Sequence, residues 1–532
     1  MKNIILTIAF FVAINASLIS QSKENLPLNK DTTEYYPEYQ KREIQKILQQ
    51  WSNTSNAAGM IFAKNDRGSF VTLESYSNGG DYHRLQEGSA NDGLRFFTER
   101  YDKLNDKVFV KGSFSFNLNK ESERAWSDVF NTYNANPYIY GSSIKGNYET
   151  QLYKLNLKAY TLQFNKFNFG LLLDYQVADM ARQKDPRSRS YLLNYSLIPS
   201  IVYNIDNSNK LGINLLYRYN KEKMPGLTTV QTDPNLQYYT FTGLENAVGR
   251  IGGYKGFSRQ FIGDALGADI QYSFSNDKLN WLISGGAEYY KEETLGDKKQ
   301  SPGSYNAYKY NIYSNLLLKG SKFLHNFQLK GSFVDGGADE YRQVLIAERD
   351  TLTGISTQIW ETIYTYKNRY VVKTADIDAS WKLYSMNKSG DGYKWSAGLS
   401  ANYSSFENIY YLQKSEYGAD KLSFGVNGSY LLWDNKYNKL IFETEAVAGL
   451  SLDSKLNVNR ETEIYNTVLS SDLEYHNLNT YYVGGNLIYT FPLQFVKNSK
   501  LTGYTKLYGG NVFASDNIGW YNIGIAIGLL TL

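Results

Sequence analysis

Three histidines, His83, His325 and His476, are all the imidazole the chain carries, and it has no cysteine, so thiolate nucleophiles, thiolate metal sites and disulfides are excluded. His476 follows Asp472 and Glu474 closely, a spacing that an acid–base pair of a surface lipase or protease would use. The plainer reading is a solvated loop histidine. Gly249, Gly252, Gly253 and Gly256, set among Arg250, Tyr254 and Lys255, imitate a phosphate cradle, but no strand feeds a helix there. A flexible or infolding loop is expected instead. In the same loop Tyr238, Tyr239 and Phe241, with Arg250 and Tyr254, are candidate contacts for a hydrophobic or sugar ligand, against the simpler role of packing the loop. The run Arg182, Lys184, Arg187 and Arg189 is basic and suits lipopolysaccharide phosphates. No catalytic centre, metal site or cofactor is expected.

A second set of candidates lies in stretches of strict alternation. From Leu152 to Thr161, Tyr153, Leu155, Leu157 and Ala159 alternate with Lys154, Asn156, Lys158 and Tyr160, the period-2 pattern of a strand with one greasy and one wet face. The pattern recurs at Leu211–Tyr219, Leu266–Phe274, Trp281–Tyr289 and Leu422–Leu432. It assigns Lys154, Lys158, Arg218, Glu288, Glu443 and Glu445 to the wet face as candidate lumen-facing charges that set ion or solute preference.

The strands are joined by short turns at one end, such as Asp206 to Lys210 and Ser275 to Lys278, each of normal hairpin length. At the other end lie longer segments: Lys120 to Gly146, Asp179 to Ser190, Lys221 to Ser258, Lys291 to Ser304, Gly336 to Tyr366 and Asp453 to His476. This segregation fits a transmembrane antiparallel up-and-down β-barrel with short periplasmic turns and long extracellular loops, and a soluble sandwich has no cause for it. About 18 strands are expected between Ser69 and the end, within a range of about 14 to 18, and an even number returns both termini to one side. Tyr 48, Phe 26 and Trp 8 suit the aromatic girdles of such a barrel. A net charge of +4 from 56 basic and 52 acidic residues gives no reason to expect nucleic acid.

Residues 1–20 have the form of a secretory signal, with Lys2, an apolar run from Ile4 to Leu18, and Ser20 near the expected cleavage. Residues 21–68 read as an N-terminal extension. Pro37 is placed at the first turn of a helix carrying Ile44, Ile47, Leu48 and Trp51, the one convincing helix, which serves either as a plug or as an arm resting on the barrel. Residues 69–532 are the barrel. Its last strand, Trp520 to Leu532, alternates Tyr521, Ile523, Ile525, Ile527 and Leu529 with Asn522, Gly524, Ala526 and Gly528. The run resembles the C-terminal signal read by the barrel assembly machinery, although it stops at Leu532 where an aromatic is usual.

With signal, strands, loops and terminal strand in place, the mature chain resembles Gram-negative outer-membrane barrels of a family of unknown function. In plan it is also similar to outer-membrane fatty-acid and aromatic-hydrocarbon channels, which pair a short N-terminal plug with a barrel of somewhat fewer strands. TonB-dependent receptors fit less well, because their plug domain of over a hundred residues has no counterpart in 23–68. The resemblance implies an integral outer-membrane protein, a channel or transporter for a small solute or hydrophobic compound. The alternatives are a non-transporting surface barrel that binds a ligand or partner as accessory to an uptake complex, and a surface hydrolase. Expected partners are outer-membrane lipid and lipopolysaccharide, the assembly machinery, and an outer-membrane uptake partner protein.

Overall fold

The computed structural model describes residues 39–532, apart from 63–67, 106, 231–236, 252–256, 297–298, 350–355, 389, 391, 413, 436–437, 494–500 and 532. The expected signal peptide, Pro37 and Tyr254 therefore lie outside the described residues, as does the side chain of Arg250.

Among the described residues, twenty-one strands follow a short helical stretch. They are β1 (Gly68–Gly80), β2 (Ala90–Lys103), β3 (Val108–Arg124), β4 (Tyr140–Gly141), β5 (Gly146–Thr161), β6 (Phe167–Arg182) and β7 (Arg189–Asn204). Next come β8 (Asn209–Met224), β9 (Gln237–Gly243), β10 (Asn246–Ile251), β11 (Arg259–Ser275), β12 (Leu279–Leu295), β13 (Gly303–Lys319) and β14 (Phe323–Arg349). The last are β15 (Ser356–Met386), β16 (Tyr393–Tyr410), β17 (Ser415–Asp434), β18 (Lys439–Asn457), β19 (Thr480–Leu493), β20 (Leu501–Ala514) and β21 (Gly519–Thr531). All but β4, β9 and β10 form one antiparallel sheet of 18 strands. It closes because β1 pairs with β2 on one edge and with β21 on the other, from Ser69 opposite Thr531 to Gly80 opposite Trp520. Closure leaves no sheet edge exposed to lipid, as a spanning sheet requires.

Alternation decides which way each side chain points. Leu215, Leu266, Ile270, Leu399, Val426, Val483, Ile523 and Ile527 are exposed on the outer wall, while Asn214, Gln271, Asn315 and Asn326 are buried on the inner one. Each exposed Leu or Ile in water would forgo roughly 1.5–3 kcal/mol, and the continuous band far exceeds the ~300–600 Å² patch of an ordinary soluble surface. Hydrocarbon is the solvent that removes this cost. Aromatic pairs bracket the band: Tyr195 and Tyr219, and Tyr289 and Tyr308, with centroids 5.4 and 5.0 Å apart toward one end. Phe167 and Tyr203, 5.1 Å apart, stand toward the other. These are the interfacial girdles of a membrane-spanning barrel of the outer-membrane type.

Both termini of the sheet and the short turns share one end, hereafter the turn end. The other, the loop end, carries the connections 125–145, 225–258 and 458–479. Several expected loops are shorter than the sequence suggests, because polar residues continue the ladder beyond the apolar band. Asp179 to Ser190 shrinks to 183–188, and β10 occupies part of the glycine-rich stretch. Gly336 to Tyr366 is chiefly strand, not loop: β13 pairs with β14 only as far as Glu340, and β16 with β15 only to Tyr370. From Glu340 opposite Tyr366 to Arg349 opposite Ser356, β14 and β15 pair with each other alone, projecting as a two-stranded arm of roughly 30 Å at ~3.3 Å per residue. The segment 458–479 contains a second helix, Ser470–Asn477, which its weak periodicity hid.

A polar chamber between two closures

The lumen is occupied at both ends. At the turn end, the helix Tyr39–Leu48 and two short 3-10 turns, Gln50–Asn53 and Ala57–Phe62, lie inside the barrel. This lumenal segment is anchored mainly by directional bonds to the wall. Lys158 donates to the carbonyls of Ser52 (3.2 Å) and Thr54 (2.9 Å). Gln50 donates to Asn315 Oδ1 (2.5 Å) and to the Asn315 carbonyl (2.8 Å), Asn56 donates to Gln271 Oε1 (2.9 Å), and Ser55 donates to Asp269 (3.0 Å). Trp51 fills the gap between Ala58, Val202 and Leu282. The wall is cut to fit: a Cβ on Gly170 would stand 2.2 Å from the Ala58 nitrogen, so glycine alone admits the chain so close.

The helix spans the lumen in another manner. Tyr39 packs on Tyr504 near the β1–β21 seam, and Arg42 pairs with Glu99 at 2.9 Å while lying 3.7 Å over the Phe70 ring. Ile44 is buried among Leu317, Leu324, Tyr384 and Tyr393 on the far wall. Tyr393 donates to Glu43 (2.5 Å), with Lys382 3.9 Å from the same carboxyl. Burial raises the Glu43 carboxyl above its ordinary range and lowers the Lys46 ammonium to about 8.

At the loop end three connections and the 81–89 turn fold inward and build a cap. Its centre is Asp128, fully buried, accepting from the hydroxyls of Tyr148 and Tyr238, the latter at 2.5 Å. Arg182 donates to the Tyr148 hydroxyl (2.8 Å) and to the Ile144 carbonyl (2.6 Å). Aromatic side chains surround this network, including Trp126 against Tyr239 (4.7 Å) and Tyr140 stacked on Phe261 (6.1 Å). On the other flank Arg84 holds Asp472 through two nitrogens, Nε at 3.1 Å, and lies 3.3 Å over the Tyr133 ring.

A partly open chamber of about 550 Å³ lies between the helix and the inner faces of β14–β19. Glu43, Lys46, Gln328, Lys382, Asn427 and Glu445 contribute to its lining. A larger concavity of about 930 Å³, lined by Trp281, Phe327, Trp381, Leu399, Phe424 and Tyr481, is on the outer wall and faces hydrocarbon.

The six charges assigned to the wet face all point inward, but they do different things. Lys158 is a strut for the lumenal segment, and Arg218 pairs with Glu288 at 3.0 Å, with Lys309 3.9 Å from the same carboxyl. Lys154 is exposed to the lumen. Glu443, which accepts from Asn486 (2.9 Å), and Glu445 line the chamber. Tyr238, Tyr239 and Phe241 are buried in the cap. Arg250 sits on β10 opposite Tyr238. Of the basic run, Arg182 is internal, Arg187 lies 3.0 Å from Asp185, and Arg189 is held by Asp179. His476 stands against Phe406, Tyr417 and Tyr475 rather than on Asp472, whose carboxylate Arg84 occupies. Burial, with Arg84 and Lys421 nearby, depresses its pKa to about 4. Glu43, Lys46, Lys382 and Asn427 were not anticipated. The alternation of Asn326, Gln328 and Lys330 was the available signal.

No curated protein matches the sequence. Among solved structures, the copper transporter OprC is similar over 87% of this chain and 81% of its own, at 10% identity and TM-score 0.37. A FadL homologue of Pseudomonas aeruginosa covers 90% and 92% at 10% and 0.31, and the ferric citrate transporter FecA covers 87% and 78% at 9% and 0.38. Likeness at this distance says nothing of cargo. The profile of the family of unknown function DUF6850 matches residues 57–530, from the lumenal segment to the last strand, and the chain belongs to that family.

Proposed function

We propose that the protein is a gated transport barrel of the bacterial outer membrane, passing a small polar solute through the chamber when the two closures yield. The observation that carries this reading is the partly open polar cavity of about 550 Å³ between the helix and the inner wall, since a barrel filled only for stability has no use for a roomy wet interior. Its lining favours a polar cargo over the hydrophobic alternative. In this reading residues 1–20 direct export, the assembly machinery reads the last strand, the turn end faces the periplasm and the cap faces lipopolysaccharide.

Planar-bilayer conductance tests it, using the intact protein, a deletion of 39–62, a cap variant (Tyr238→Ala with Asp128→Asn), and the deletion combined with that variant. The intact protein is expected to be silent and the combination to conduct steadily. A combined variant that is still a folded barrel and carries no current rejects transport.

A second reading, a surface barrel that docks an uptake partner, draws on the projecting arm. Val344, Leu345, Ile346, Ile359 and Ile363 are exposed there beyond the barrel, an apolar surface of the kind that marks protein contacts. Co-purification of a stable partner, lost on shortening the arm, is its test.

A further inference from the structure

We infer that the chamber against β14–β19 binds a polyhydroxylated, uncharged solute of about one or two pyranose rings, recognised by side-chain amides, carboxylates and a tyrosine face. This rests on the transport reading above and names its cargo class. A volume of about 550 Å³ lies within the ~300–1,000 Å³ typical of small-molecule sites. The lining narrows the chemistry. Amide side chains are its commonest group, and each offers a donor and an acceptor on neighbouring atoms, the pattern that adjacent hydroxyls on a ring answer. Gln328, Asn427 and Glu445 line the chamber with no side-chain hydrogen bond to any described residue. Their bonding capacity is therefore turned to the cavity. The Tyr482 ring supplies an apolar face of the sort that takes the C–H side of a sugar.

The charges argue against an ionic cargo. Lys382 stands 3.9 Å from Glu43, and Glu443 accepts from Asn486, so both signs are present and two of the three carboxylates already have partners. A site for an organic cation or anion needs a field of one sign. A fatty acid would leave the amides and Glu445 dehydrated without partners, which weakens its binding.

The full mature protein in detergent is titrated calorimetrically with maltose, glucose, spermidine and octanoate. Heat from maltose or glucose is expected, weakened at least tenfold by Asn427→Leu with Glu445→Gln at an unchanged melting temperature. Binding of spermidine or octanoate alone, sugar binding that the double variant leaves intact, or no binding of any probe overturns the assignment. Current through the combined deletion and cap variant, measured separately, tells a wrong cargo from a wrong transport reading.

Discussion

The two closures solve the same problem with opposite chemistry. Residues 50–62 are held by hydrogen bonds exchanged with the wall, some donated by the segment and one pair by Lys158, and most of the wall partners come from neighbouring strands, β5, β7, β8 and β11–β13. The cap is a cluster of aromatic rings around a few buried charges, and its members come from three loops and the upper ends of β8, β11 and β13–β17. Directional bonds to a rigid wall make each anchor local, because losing one leaves its neighbours in register. A shared core is cooperative: each loop is ordered only while the others are, since none buries enough apolar surface alone.

The sharpest way to break this contrast is Asp472→Ala, which leaves Arg84 buried without its partner at a cost of about 3–5 kcal/mol. Hydrogen exchange should then rise across 125–145, 237–251 and 458–479 together, with 50–62 unchanged. Loss of protection confined to 470–477 would mean the cap is not one unit. Trp51→Ala, a large-to-small change in a tight site, should cost about 3 kcal/mol, read as faster exchange in 50–62 and none in the cap. Lys158→Met leaves two carbonyls without their charged donor, about 2 kcal/mol, and should loosen only 50–54.

A further effect separates the closures by pH. Burial keeps His476 neutral down to about 4 in the fold, against ~6.5 when unfolded, so the opened cap takes the proton first. Cap stability therefore falls as pH drops from about 6.5 toward about 4. Arg84 and Lys421, facing it from the 81–89 turn and β17, oppose the proton further. Glu43 has the opposite sign: its raised carboxyl favours the docked helix as pH falls, a contribution lost as pH rises through the folded value. Exchange measured across that window in wild type and His476→Phe should show the cap loosening in acid only in the wild type.

The barrel was legible in the sequence because a period of two with a greasy face is dictated by lipid, whatever the loops do. Strand number, face assignment and the turn-end hairpins follow from it. The ends of strands were not legible: Glu340–Arg349 and Ser356–Tyr366 lack the alternation because they stand beyond the hydrocarbon band. The inward direction of Lys158 was readable, but its bond to Thr54 was not, since the partner lies about a hundred positions away in an unpatterned segment. Nor was the pairing of Arg84 with Asp472 across 388 positions. Such partners are set by which loops fold inward, and periodicity carries no record of that.

The lumenal segment also precedes the first strand directly. Between Phe62 and Gly68 there are only six peptide links, which stretch to at most about 20 Å at ~3.3–3.6 Å each. Gly68 is fixed opposite Tyr101, and its neighbour Ser69 opposite Thr531. Phe62 is thus leashed to the seam where the cylinder was zipped shut. In the transport reading, the doorstop can travel no farther from that seam than this tether allows.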